Sequence, residues 1–328
     1  MPSFRIDIPV RRADFAIDHQ HQSLLVGSCF TEHIGNRLVA AKFPVALNPF
    51  GIVYNPISVA HSLERLWAGN RPFSEAELFT HQGLWHSWEH HGRFSQPDLP
   101  TMLEGLNVAY AASAQALRRT NRLLLTLGTA DVFSLVTTGQ VVANNHKMPA
   151  TLFQQRRLGV DEIVQHLLVI LQKIAAEQRD FEVILTVSPV RHLRAGAVEN
   201  QRSKGTLLLA CAALCEQLSF ATYFPAYELL LDDLRDYRFY AADLVHPSDV
   251  AVDYIWQHFA DTFFTPDTQK LMSRMEQIRL AVAHRPFHPD TIQHRNFEQA
   301  QLLAIADLTV DYPTLDFTKE IAHFRHLG

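Results

Sequence analysis

Three residues of this chain have the types and spacing that acyl chemistry asks for: a thiol at Cys29, and an Asp-x-x-His segment carrying Asp243 and His246. A nucleophile needs a base to take its proton, and an imidazole does this near neutral pH. A carboxylate beside the imidazole fixes its tautomer and stabilises the imidazolium formed when the proton moves. Cys29 lies in Gly27-Ser28-Cys29-Phe30, just past a short apolar run and at the start of a helical pattern. Free amides and the dipole at a helix N-terminus favour negative charge on a nucleophile or oxyanion, and they lower a thiol's pKa. Ser28, on the same turn, is the other candidate nucleophile. Asp-x-x-His is common by itself; its place after the last strand, opposite a glycine-led turn after the first, is what raises it.

Bringing residue 29 to residues 243–246 calls for a sheet whose strands all end on one side. Four runs read as buried strands, 23–26, 122–127, 181–187 and 221–224, with a weaker one at 43–47 that Pro44 interrupts near its start. Helical patterns alternate with them. The clearest covers 160–178, where Ile163, Leu167, Ile170, Leu171 and Ile174 form one stripe. This alternation predicts a doubly wound parallel sheet, in which ligands bind outside the carboxyl ends of the strands. The unusual segments fall there: Asn48-Pro49-Phe50-Gly51, Gly128-Thr129-Ala130-Asp131, and Ser188-Pro189-Val190-Arg191-His192. An insertion is expected at about 57–120, and a helical extension over 266–328, packed on a main domain over 1–265.

Together GSCF, NPFG, LGTA, SPVRH, RDYRFYA and DLVHPS resemble the GSCFA family, which is similar to the SGNH hydrolases in fold and motif order; the resemblance covers roughly residues 20–260. It implies an α/β, three-layer, flavodoxin-like fold with a five-stranded parallel sheet. It further implies an esterase-like hydrolase or acyltransferase that passes through an acyl-enzyme, acts on a small-molecule or glycan ester and uses no cofactor. Against the Gly-Asp-Ser opening of SGNH enzymes, Gly27 takes the glycine, Ser28 the aspartate and Cys29 the serine, so Cys29 and Ser28 both stay in play. The resemblance also implies an oxyanion hole built from the amides of Cys29 and Gly51. Ala130 stands where an asparagine would supply the third donor, which makes Asn145 the replacement, ahead of Asn48 and Asn55. A missing donor costs about 100- to 1000-fold in turnover. A catalytically inactive ligand-binding module on the same fold is therefore the second reading. Asn48, Thr129, His146, Lys147, Arg191, His192, Asn200 and Lys204 fall at the ligand face as substrate-binding candidates, the cations among them suited to an anionic group. Arg235, Asp236, Tyr237 and Arg238 read either as support for the Asp-x-x-His loop or as an ion-paired turn.

The rest of the chain narrows the function class. With 328 residues, 47% hydrophobic, it can bury a large core, and its net charge of -5 with scattered Lys and Arg argues against nucleic acid. No run approaches the roughly 18 apolar residues of a membrane span, and the opening residues lack a cleavable leader's pattern, so a cytoplasmic protein with no membrane partner is expected. Cys29, Cys211 and Cys215 make no disulfide framework; Cys211 and Cys215, four apart on an apolar helix face, read as core. The run His81, His86, His90, His91, with Trp85 and Trp88 between, puts His86 and His90 on one helix face. Glu89 is outside zinc-protease spacing, so a lid or pocket wall is expected and not a metal site. Oligomeric state is left open.

Overall fold

The computed structural model describes residues 6–288 and 290–326; the first five residues of the expected domain, Pro289 and the last two residues of the expected extension lie outside the described residues. The chain runs β1 (Ser23–Gly27), α1 (Cys29–Ala40), β2 (Val45–Leu47), α2 (Pro56–Ala68), β3 (Leu78–His81), β4 (Leu84–Ser87), α3 (Leu99–Leu117), β5 (Arg122–Leu127), β6 (Asp131–Leu135), β7 (Val141–Val142) and β8 (Phe153–Arg157). It continues through α4 (Val160–Glu177), β9 (Glu182–Val187), α5 (Ala197–Gln217), β10 (Ala221–Tyr223), α6 (Ala226–Glu228) with a π-helical turn at Leu229–Leu234, α7 (Asp249–Phe263), α8 (Pro266–Ala283), α9 (Ile292–Asp311) and α10 (Thr318–His326).

The main sheet has the order β10-β9-β5-β1-β2 with every pairing parallel. Counted along the chain this is the flavodoxin-like order 2-1-3-4-5, whose switch point lies between β1 and β5. Side chains alternate across each strand. Leu24, Val26, Leu123, Leu125, Val183 and Leu185 join one core with α2, α4 and α5, while Leu25, Leu124 and Ile184 join a second core with α1 and α7. Both faces are thus covered, which is why these strands read as unbroken apolar runs. The α4 stripe from Ile163 to Ile174 is buried as its spacing predicts. β2 begins only at Val45; Pro44 has no N–H to give the ladder, and its carbonyl accepts from the Ser23 N–H at 2.9 Å.

Within residues 57–120, Val59, Leu63 and Leu66 of α2 and Met102, Leu106 and Tyr110 of α3 lie in the same core as β1, β5 and β9, and close one face of the sheet. One expectation changes: His86 and His90 do not share a helix face. β3 and β4 form a hairpin around Gln82 and Gly83, both at positive φ (50° and 76°), the geometry of a tight two-residue turn. Arg65 of α2 anchors this hairpin region by ion pairs to Glu77 at 2.7 Å and Glu89 at 3.2 Å. A second small antiparallel sheet, β7-β6-β8, carries the loop with Asn144 to Lys147. Helices α8, α9 and α10 share a core of Leu271, Met275, Ile278, Ile305, Leu308 and Phe324. Lys42, just past α1, reaches this group through the Asp316 carbonyl (2.6 Å) and Glu320 (2.8 Å). Among the described residues no helix is long and apolar enough to cross a membrane.

His90 makes the fold acid-sensitive. Its ring stacks on Phe50, accepts or donates at Ser87 Oγ (2.9 Å), and is held by burial down to about 3. The folded ring stays neutral where the unfolded chain's histidine takes a proton, so its stabilising contribution is present above pH 6.5 and is lost as pH falls below that value. At pH 4 the loss is on the order of 3 kcal/mol. His146 and His192, each held down to about 4 largely by burial, act in the same direction. Urea midpoints should drop between pH 6.5 and 4, and His90→Asn should flatten the slope; identical slopes in the two proteins would refute the assignment.

Candidate active site

Gly27 closes β1 at φ +151°, and a Cβ there would sit 2.2 Å from the Thr126 carbonyl oxygen of β5. Only glycine lets the two strands stay this close at the switch point. The Gly27 N–H donates to Asn48 Oδ1 (2.9 Å) and the Ser28 N–H to Thr126 O (3.1 Å), after which the chain turns into α1 with Cys29 as its first residue.

Cys29 and Ser28 differ in access. Ser28 is fully buried and its Oγ has no hydrogen-bond partner among the described residues, whereas Cys29 is partly exposed. The first amides of α1, those of Cys29 and Phe30, face the sulfur. Burial nonetheless pushes the thiol up; these amides and the Lys204 ammonium pull it down without offsetting the desolvation. The expected lowering of the thiol is thereby reversed, because at this position loss of water outweighs the helix terminus.

Asp243 and His246 pair within one turn. Asp243 Oδ2 accepts from His246 Nδ1 at 2.6 Å, and Oδ1 accepts from the backbone N–H groups of Val245 (2.9 Å) and His246 (3.0 Å). These bonds, the His246 side chain first, hold the Asp243 carboxyl down to about 2. With Nδ1 donating, His246 Nε2 is left to accept a proton. Leu244 takes a left-handed φ of 58° to close the turn, and Ser248 caps α7 through the Ala251 N–H (3.4 Å). Arg191, after β9, ties this loop to the sheet: its N–H donates to Val245 O (3.2 Å), its guanidinium to Leu244 O (3.3 Å), and it lies over the Tyr240 and Tyr237 rings. It thus supports the loop. Residues 235–238 form an exposed turn with Arg238 near Asp236 (3.8 Å), and Tyr237 of that turn serves Arg191. His246 acts electrostatically on His33, one turn beyond Cys29 on α1, and on His192.

Around the end of β5 the parts interlock. The Gly128 and Thr129 N–H groups donate to the Tyr54 carbonyl (2.8 and 3.1 Å). A Cβ on Gly128 would meet that oxygen at 3.1 Å and His192 Nε2 at 3.3 Å. His192 Nε2 is buried with no hydrogen-bond partner among the described residues, and the His192 N–H donates to Asn200 Oδ1 (2.8 Å), which engages Asn200 in shaping the loop. Ala130 points its methyl into the core, and its N–H donates to Ser203 Oγ (2.7 Å), which is 3.0 Å from Thr129 Oγ1. Lys204 is not at the surface: its Nζ donates to Gly128 O (2.6 Å) and Ser188 O (2.7 Å).

The remaining oxyanion and substrate candidates are placed as follows. Gly51's N–H donates to Asn48 O (2.8 Å) inside a turn, so it is engaged and does not face an oxyanion. Asn48 is buried, with Oδ1 accepting from the Gly27 N–H and Nδ2 lacking a partner among the described residues. Asn55 caps α2 through the Ser58 N–H (2.8 Å). Asn145 Oδ1 accepts from the Lys147 N–H (3.3 Å), and its side chain lines a cavity of about 380 Å3 with Tyr54, Asn55, Thr129, Asn144 and His192. His146 turns away from that cavity: its Nε2 meets Ser87 O (2.8 Å) amid Phe79, His86 and Trp88, and Lys147 is exposed. Among the described residues no three His, Cys, Asp or Glu are placed to hold a metal ion. His86 is engaged with Ser95 Oγ (2.7 Å). Cys211 is in the core, its thiol pushed up by burial.

Two residues of this region, Tyr54 and His33, escape a reading of the sequence; Ser203, which that reading places at the ligand face, serves as the partner of the Ala130 N–H. His33 alone left a signal, four residues after Cys29 and so on the same helix face.

The profile of the GSCFA family matches residues 22–259, and that of the GSCFA domain protein, C-terminal domain, matches residues 275–327. No curated protein matches the chain. Among solved structures it is similar to a putative platelet activating factor from Streptococcus pneumonia, at 13% identity over 74% of this chain and 83% of that one, with a TM-score of 0.37. It is also similar to a carbohydrate esterase family 3 protein from Talaromyces cellulolyticus, at 9% identity over 78% of this chain and 99% of that one, with a TM-score of 0.36. Matched from the start of β1 to within α7, the chain belongs to the GSCFA family.

Proposed function

We propose that this protein is an esterase-like hydrolase or acyltransferase for a small-molecule or glycan ester, with Cys29 as nucleophile, His246 as base and Asp243 as the group that orients it. The observation that carries the reading is the 2.6 Å Asp243–His246 bond, on a loop fastened through Arg191 to the same end of the sheet at which Cys29 heads α1. Because burial holds the thiol protonated at rest, the proton leaves as the sulfur attacks and not before. His246 Nε2 takes it, the carbonyl π electrons move onto oxygen, and the amide of Cys29 steadies that charge. The tetrahedral species collapses, the alcohol leaves with the proton from His246, and water or a second alcohol then takes the acyl group from sulfur. The polar cavity beside Tyr54 and His192 has room for a sugar-sized group.

Mass spectrometry after incubation with an activated acetyl ester tests this. The acetyl group should appear on the peptide containing Cys29 and accumulate when the acceptor is withheld. The engaged Gly51 amide and the core-facing Ala130 methyl favour a second reading, a ligand-binding module without turnover. A protein that never acquires the acyl group would select it.

A further inference from the structure

The cavity of about 380 Å3, walled by segments that follow β2, β5, β7 and β9, presents hydrogen-bond donors, because its amide and carboxylate oxygens are already taken. Asn55 Oδ1 accepts from the Ser58 N–H (2.8 Å), Asn144 Oδ1 from the His146 N–H (2.8 Å) and Asn145 Oδ1 from the Lys147 N–H (3.3 Å). A backbone N–H can only donate, so these bonds fix which amide atom is the oxygen. The Nδ2 groups of Asn144 and Asn145 are left without a partner among the described residues. His91, also in the wall, obeys the same rule: its Nδ1 accepts from the Arg93 N–H (3.3 Å), which puts the proton of the neutral ring on Nε2.

The charges of the wall agree with its donors. Asp131 is the acid of the lining, and Arg157 donates to both its oxygens (3.0 and 3.4 Å). Arg194 has no ion pair among the described residues and lies over the Phe133 ring at 5.7 Å, which holds its guanidinium at the wall. N–H donors around one uncompensated cation complement a group made of acceptors. A neutral sugar would instead bring hydroxyls that need acceptors in return. We propose that this cavity is an anion subsite, holding a carboxylate or phosphate group of the ester that Cys29 attacks, with Arg194 as the residue that selects it. The inference rests on the reading of Cys29 as nucleophile for what that group belongs to. Tyr54 joins the two places: it lines the cavity, and the N–H of the preceding Val53 donates to the carbonyl of Gly27 (2.9 Å), on the turn that carries Cys29.

The test is equilibrium binding of glucuronate, inorganic phosphate and glucose to the full chain, measured by calorimetry. Glucuronate or phosphate should bind about tenfold or more tightly than glucose, and the tighter of the two identifies the anion. Arg194→Gln should weaken that anion about tenfold, the worth of one charge-assisted hydrogen bond, and leave glucose unchanged. Arg194 is exposed, so its exchange removes nothing from the core. Asn145→Asp keeps an oxygen for the Lys147 N–H and adds negative charge to the wall, so it should weaken the anion as well. Equal affinities for all three probes, no saturable binding of either anion, or an anion affinity unchanged in either variant would overturn the proposal. Binding needs neither turnover nor the thiol, so this outcome is separate from that of the acyl-adduct experiment.

Discussion

Cys29→Ala is expected to remove turnover of an activated ester, by a factor on the order of 1000 or more, together with any acyl adduct, while Ser28→Ala keeps most of it. The contrast follows from access. Cys29 is partly exposed at the head of α1, whereas Ser28 is buried and its Oγ has no partner among the described residues. Removing a buried hydroxyl that bonds nothing leaves no orphaned group, so Ser28→Ala should also leave the unfolding midpoint near the wild type's. Cys29→Ser keeps a nucleophilic atom but exchanges a thiol for a far weaker acid, which the raised thiol of this site already makes dependent on a base. It should fall between the other two. Inactivity of Ser28→Ala alongside a competent Cys29→Ala would shift the nucleophile by one residue.

His246→Ala should cost a comparable factor, on the order of 1000-fold in kcat, with the fold intact. The His246 side chain is 44% exposed and is bonded by its ring to Asp243 alone among the described residues, so its loss opens no cavity in the core. Unfolding should change by no more than about 0.5 kcal/mol. Asp243→Asn should approach the same loss by another route. An amide in place of the carboxylate presents a donor or a weaker acceptor to Nδ1, so the tautomer with Nε2 ready to accept is no longer enforced. It also weakens the bonds to the Val245 and His246 amides, which makes the His246 variant the cleaner measurement. Wild-type rates in His246→Ala would remove the triad.

Much of this arrangement is local in origin and therefore legible from the chain alone. Unbroken apolar runs at β1, β5 and β9 specify strands buried on both faces, and the stripe of α4 specifies a helix against them. Once the strands are parallel, their carboxyl ends share one side, so the segments after them meet whatever their distance in sequence. The Asp243–His246 pair is likewise local, three residues apart in a turn that bonds to its own backbone. Tertiary packing decided what depends on desolvation and on partners far along the chain. Residues 57–120 became a layer of the core because their apolar faces met the sheet. Gly51's amide and the Asn200 side chain were engaged by neighbours that spacing does not reveal. The charge states turned on the same cause: sequence reports that Cys29 heads a helix and that Lys204 lies on one, but only the closed fold withdraws both from water, and that burial raises the thiol and lowers the ammonium.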